Sequence, residues 1–203
     1  LSPPLATRKL MNCTAMPDLR PRPSLLLAFL LCYTGAAAFF QLKSDIPPHI
    51  DGSPVEFFTS GLLWILSLLA LLIADRRWDV SRAKTCFWLM ASAGLGVVAL
   101  DEAFGYHERT RFSVGDDDHL KLAAVLAAAG AVCLVARWER RPAANALFAA
   151  GLVFQTLYGL ADFGDGDYFR LPLLSLTALQ WLEELFELLT LEAYAAAFVY
   201  LHA

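Results

Sequence analysis

The chain is predicted to be an all-α, polytopic transmembrane bundle of about six spans, and three observations predict it. Hydrophobic residues make up 58% of the 203 and charged residues only 18%, against roughly 45–50% and about a quarter in soluble domains. The charges fall in short clusters that separate long apolar runs. Each run is close to the roughly 20 residues that a helix needs to cross the hydrocarbon core. Without water in that core a segment must satisfy its own backbone groups, which means helices. A transmembrane barrel would instead show alternating segments of about 10 residues, and none is visible.

Residues 1–23 are proline-rich and basic (Arg8, Lys9, Arg20, Arg22) and read as a flexible cytoplasmic tail. The remainder, 24–203, reads as one six-helix transmembrane domain. The first span, 24–40, has the look of a signal-peptide core but no well-separated small-x-small cleavage site, and more spans follow, so it reads as uncleaved. The second span is placed at 56–75, after a turn-rich stretch containing Pro47, Pro48, Gly52 and Pro54. The third, 83–107, follows the Asp75–Asp79 charge cluster. The fourth, 119–138, follows the aspartates 116–118, and Arg140-Arg141-Pro142 makes a tight turn into the fifth, 142–162. The acidic segment 162–167 leads to the last span, 172–202. In the third span Ser92 and Gly96 have small-xxx-small spacing, and the fourth is alanine-rich, which makes these two the expected crowded centre.

Eleven of the sixteen Lys and Arg residues fall in the tail and in the second and fourth connections. The positive-inside rule then puts both termini in the cytoplasm of a bacterial inner membrane. The acidic loops fall outside, so the net charge of −4 is sorted by side and says little about partners. The four cysteines form no metal spacing and read as buried small apolar residues or inert thiols. No phosphate-binding or dinucleotide motif and no basic–aromatic patch is present, so nucleic acid is not an expected partner. His49, His119 and His202 lie at connections or the terminus, so histidine-ligated haem or chlorophyll is not expected either.

Two segments break the apolar rule within the membrane. One is Leu100-Asp101-Glu102 with His107-Glu108 at the outer end of the third span; the other is Gln180, Glu183, Glu184 and Glu187 in the last. At 100° per residue the latter four share a sector about 100° wide. Asp101 sits roughly 8–9 Å below the end of its helix, and tilting of the long last span brings Glu183 toward that level. The two clusters are therefore expected to meet. Neighbouring carboxylates at low dielectric cannot all stay charged without compensation. Neither span has a basic residue at that depth, and Arg109, Arg111 and Arg170 reach down only partly. Shared protons in a polar cleft, a divalent metal, and a partner subunit's basic residue remain open. The metal set would be Asp101, Glu102, His107, Glu108, Glu183, Glu184 and Glu187, although the Glu-x-x-His pattern of di-metal bundles is incomplete. Glu192 and Tyr194 extend the polar residues inward, where a lone Glu more often snorkels to water.

The combination of Leu100-Asp101-Glu102, His107-Glu108 and the late Glu183-Glu184 and Glu187 resembles a group of small, uncharacterised bacterial multi-pass membrane proteins. That resemblance implies a membrane fold and no reaction. Small size, short loops and the lack of a soluble domain favour a non-catalytic accessory or stabilising subunit of a larger membrane complex, for example a respiratory or photosynthetic one. A membrane metalloprotein or metal-dependent hydrolase is the alternative, and proton or ion translocation a second.

Overall fold

A computed structural model describes residues 23–46, 53–104, 117–165 and 175–203, the side chains of 117–123 and 162–165 excepted. The described residues form six helices and no strands: α1 (Pro23–Lys43), α2 (Pro54–Arg77), α3 (Arg82–Phe104), α4 (Asp117–Glu139), α5 (Pro142–Asp165) and α6 (Leu176–His202). Within the described residues five of them, all but α4, are long and apolar enough to cross a membrane. The chain is a multi-pass membrane protein. The helices coincide with the six expected spans to within a few residues, except that α6 starts at Leu176 rather than 172. The tail at 1–22, the prolines at 47 and 48 and the 166–174 approach to α6 lie outside the described residues.

Local chemistry sets the helix ends. Ser53 caps α2, its hydroxyl accepting from the Glu56 amide at 3.2 Å, and Pro54 follows at the first helical position. This satisfies an orphan N–H and leaves the proline where its missing donor costs nothing. Ser175 caps α6 in the same way, accepting from the Ala178 amide at 3.2 Å. Between α4 and α5 the chain reverses through Arg140, whose φ of 44° is left-handed, and Pro142 opens the next helix. The tight turn read from the sequence is therefore present, built on a backbone conformation that glycine usually supplies.

The crowded centre is α2 and α6, with about half of each apolar stretch buried (50% and 56%), against 17% for α3. This corrects the expectation for α3 and α4. Among the α4 residues whose side chains are described only Val135 is buried, and Ala124 and Ala127 are exposed. On α6, by contrast, Ala193, Ala195, Ala196 and Ala197 are all buried. The small-residue stretch of α3 does make a close contact, against α2: Ser67 donates to the Ser92 carbonyl at 2.8 Å, and Gly96 lies under the Ser67 hydroxyl. Ser60 donates to the Ala99 carbonyl at 3.1 Å. Where lipid offers no hydrophobic drive, such contacts hold helices together. On the other side of α6, the Tyr194 ring lies over Gly151 of α5 and its hydroxyl donates to Gln155 at 2.8 Å. Trp88 of α3 meets Phe198 of α6 edge-on at 5.2 Å, so the third and sixth helices do touch.

One end of the bundle is basic. There the buried Glu139 carboxylate accepts from Arg77 and Lys84, joining α2, α3 and α4. Arg76 donates to the His202 carbonyl, and Arg141 donates to that of Tyr200 at 2.7 Å. The second and fourth connections and the C-terminus thus share one end of the bundle. Cys32, Cys86 and Cys133 are free and exposed on helix surfaces, which excludes the buried alternative for these three. Cys13 lies outside the described residues.

Candidate functional site

The site is built at the end opposite the basic one, and register alone explains much of it. α2 and α3 are antiparallel, pairing Ser67 with Ser92 and Ser60 with Ala99. Extending that register by four residues brings Glu56 opposite the turn that holds Glu102. α2 and α6 run parallel, with Arg76 beside His202. Twenty residues back, the same offset sets Glu56 level with Leu182, next to Glu183. Three helices therefore deliver carboxylates to one place.

Glu184 lies at the centre of this group. It is half-buried and lies within electrostatic reach of Glu187, Glu183, Glu56 and Glu102. The structure thus brings together four of the seven sequence-derived candidates, Glu102, Glu183, Glu184 and Glu187. Asp101 is half-buried beside Glu102 on α3. His107 and Glu108 lie outside the described residues. Among the described residues no group of three or more His, Cys, Asp or Glu side chains is arranged to hold a metal ion.

Two acidic residues take on more weight than the sequence reading assigned them. In the sequence Glu56 is simply the first residue of the second span. Its signal was the Ser53-Pro54-Val55-Glu56 cap, which fixes an acid in the first turn, where the helix dipole favours it. Glu192 does not snorkel to water. It is 6% exposed and accepts a 2.5 Å hydrogen bond from Thr34 of α1. The signal for this pair was weak: one threonine in the first span, and in the last one more glutamate beyond the acidic stripe.

Between the carboxylate group and the Thr34–Glu192 pair lies a cavity of about 510 Å³, framed by α1 and α6. Glu184, Trp181, Leu188 and Thr34 are on its wall, with Ala37 and Ala38 supplying the space. This volume falls in the range of about 300–1,000 Å³ usual for small-molecule sites. Chemically, the arrangement is an almost wholly apolar cleft, partly open to its surroundings, with the carboxylate group beyond one end.

No curated protein and no solved structure matches the chain. A family model described as "Domain of unknown function (DUF8692)" matches residues 24–201, from the beginning of α1 to the end of α6, and the chain belongs to that family.

Proposed function

We propose that this protein is a non-catalytic accessory or stabilising subunit of a larger membrane assembly, held in a bacterial inner membrane with both termini in the cytoplasm. The observation that carries the reading is the convergence of Glu56, Glu102, Glu183, Glu184 and Glu187 from three helices at one end of the bundle. Such a field favours a cationic element approaching from the outer face, and it repels anionic ones. The broad apolar flanks support the reading too. Leu27, Leu31, Phe39 and Phe40 of α1 and Met90 and Val97 of α3 are all more than half exposed and present surface to lipid or to neighbouring subunits.

The test is purification from native membranes in a mild detergent, with mass determination of the intact particle and elemental analysis. The expected result is a complex larger than one chain whose other subunits are lost when Glu102 and Glu187 are both changed to Gln. Recovery as a lone monomer overturns the reading. A stoichiometric divalent metal would overturn it in favour of the membrane metalloprotein. One observation favours a second reading, proton or ion translocation: the buried Thr34–Glu192 pair lies about 12 Å further along α6 from Glu184 at 1.5 Å per residue. Proteoliposomes that leak protons under an imposed gradient, and cease to do so with Glu192→Gln, would support translocation.

A further inference from the structure

We infer that the cleft between α3 and α4 holds an anionic phospholipid, with one acyl chain in the cleft and the headgroup against the basic end of the bundle. α4 packs along α5 and, among the described residues, is tied to α3 near that end. There Lys84 reaches Glu139 at 3.4 Å and Phe87 meets Trp138 edge-on at 5.5 Å. Beyond this tie the two helices stand apart and leave a partly open space of about 120 Å³ with a wholly apolar wall. Phe87, Ala91 and Leu95 line it from α3, and Ala128, Ala131 and Val135 from α4, the alanines leaving the room. The volume is close to the ~150 Å³ that takes up one benzene-sized guest, so it suits a stretch of one acyl chain. One turn further along the same two faces Val98 and Ala124 are exposed, so the cleft opens toward the middle of the helices, where a lipid chain continues.

Charge selects among lipids. The basic end lies at headgroup level: Trp78 is exposed there and Trp138 half-buried, and tryptophans gather at the membrane interface. Lys84 continues the cleft face of α3 one turn beyond Phe87, its amine 6.0 Å from the centre of the Trp138 ring. One carboxylate, Glu139, faces two cations, Lys84 and Arg77, so this group keeps a positive charge. Around it Arg82, Arg137, Arg140 and Arg141 are exposed, against exposed Asp75 and Asp79. Arg76 and Arg141 donate to the neutral carbonyls of His202 and Tyr200, which leaves their charge in place. A headgroup with net negative charge is drawn to such a cluster, and a zwitterionic one much less. The inference does not rest on the accessory-subunit reading, since the cleft and the basic end belong to the single chain.

The experiment titrates the full chain in a non-ionic detergent with phosphatidylglycerol or phosphatidylcholine of identical acyl chains, and counts bound lipids by mass spectrometry of the intact protein. One phosphatidylglycerol per chain should bind saturably, about tenfold more tightly than phosphatidylcholine. Ala131→Leu fills the cleft and touches no charge, so it should weaken binding about tenfold at unchanged helicity and elution volume. Ala91→Leu does the same from the facing wall, should the first variant lose helicity. Cys133→Leu adds bulk at an exposed position of the same helix and should leave binding unchanged. At the basic end two substitutions should act in opposite directions. Lys84→Gln should weaken phosphatidylglycerol binding about fivefold, the effect of one basic residue, and Glu139→Gln should strengthen it by a similar factor. Equal retention of the two lipids, a graded series of adducts with no saturating first one, or binding that survives both cleft-filling variants overturns the inference. So does parallel weakening by Lys84→Gln and Glu139→Gln, the outcome expected if the ion pairs only hold the helices together.

Discussion

Replacing Gly151 by Ala tests the packing that aligns α6, and the structure sets its size. A methyl group at Gly151 would lie 2.6 Å from Tyr194 Cδ1 and 3.1 Å from Cζ, and closer still to Cε1. Carbon atoms at best contact sit about 3.5–4.0 Å apart, so the ring has to move by roughly an ångström. Tyr194 also packs on Phe148 at 6.1 Å and donates to Gln155 at 2.8 Å, so it cannot move without loss elsewhere. Overpacking of this kind costs about 1–3 kcal/mol, and an interhelical hydrogen bond in a membrane protein contributes about 0.6 kcal/mol. The expected destabilisation is about 2–3 kcal/mol. The assay is reversible unfolding in mixed micelles with increasing dodecyl sulfate, followed by circular dichroism. Gly159→Ala is the control, since a methyl there meets nothing within 4 Å; it should be neutral, or up to about 1 kcal/mol more stable through helix propensity. In a Tyr194→Ala background the methyl has room, and Gly151→Ala should add no further cost, a direct signature of coupling. A Gly151→Ala protein within about 0.5 kcal/mol of the parent, or fully additive variants, would refute the close α5–α6 contact.

Other consequences follow from the same packing. Glu139 is 6% exposed at its side chain while Arg77 and Lys84 are 21% and 22% exposed, so Glu139→Gln should destabilise by about 2 kcal/mol, between surface and buried ion pairs; an unchanged unfolding midpoint would show the network to be idle. Thr34→Val should cost about 1 kcal/mol through loss of the bond to Glu192. Glu192→Leu should be neutral or stabilising, because replacing a buried carboxylate by an apolar side chain removes a desolvation cost; a loss of stability above about 2 kcal/mol would mean the carboxylate is structural. Reporters fused after Ala203 and inserted within 78–81 should read the same side of the membrane, since Arg76 holds the His202 carbonyl; opposite readings would rule out an even number of crossings.

The helices themselves were legible in the chain because membrane insertion is a local, one-dimensional requirement. A run of about 20 apolar residues bounded by charge or proline must be a helix whatever it packs against. That reasoning located all six helices and the turn at Arg140–Pro142, and it singled out Glu102, Glu183, Glu184 and Glu187 as carboxylates that needed an explanation. Which helices are central was not legible. Alanine content favoured α4 over α6, yet burial depends on whether small residues find a partner on a neighbouring helix, as Gly151 does under Tyr194. The tertiary structure likewise decided that Glu56 joins the carboxylate group and that Thr34, far from it in the chain, holds Glu192. Both follow from helix register, the offset between neighbours set by contacts such as Ser67 with Ser92 and Arg76 with the C-terminal turn. Hydropathy carries no information on that offset, because lipid contacts every apolar face equally well and only side-chain fit between helices distinguishes them. The acidic segments are thus a property of the sequence alone. Their assembly beside a chamber between α1 and α6 is a property of the packing.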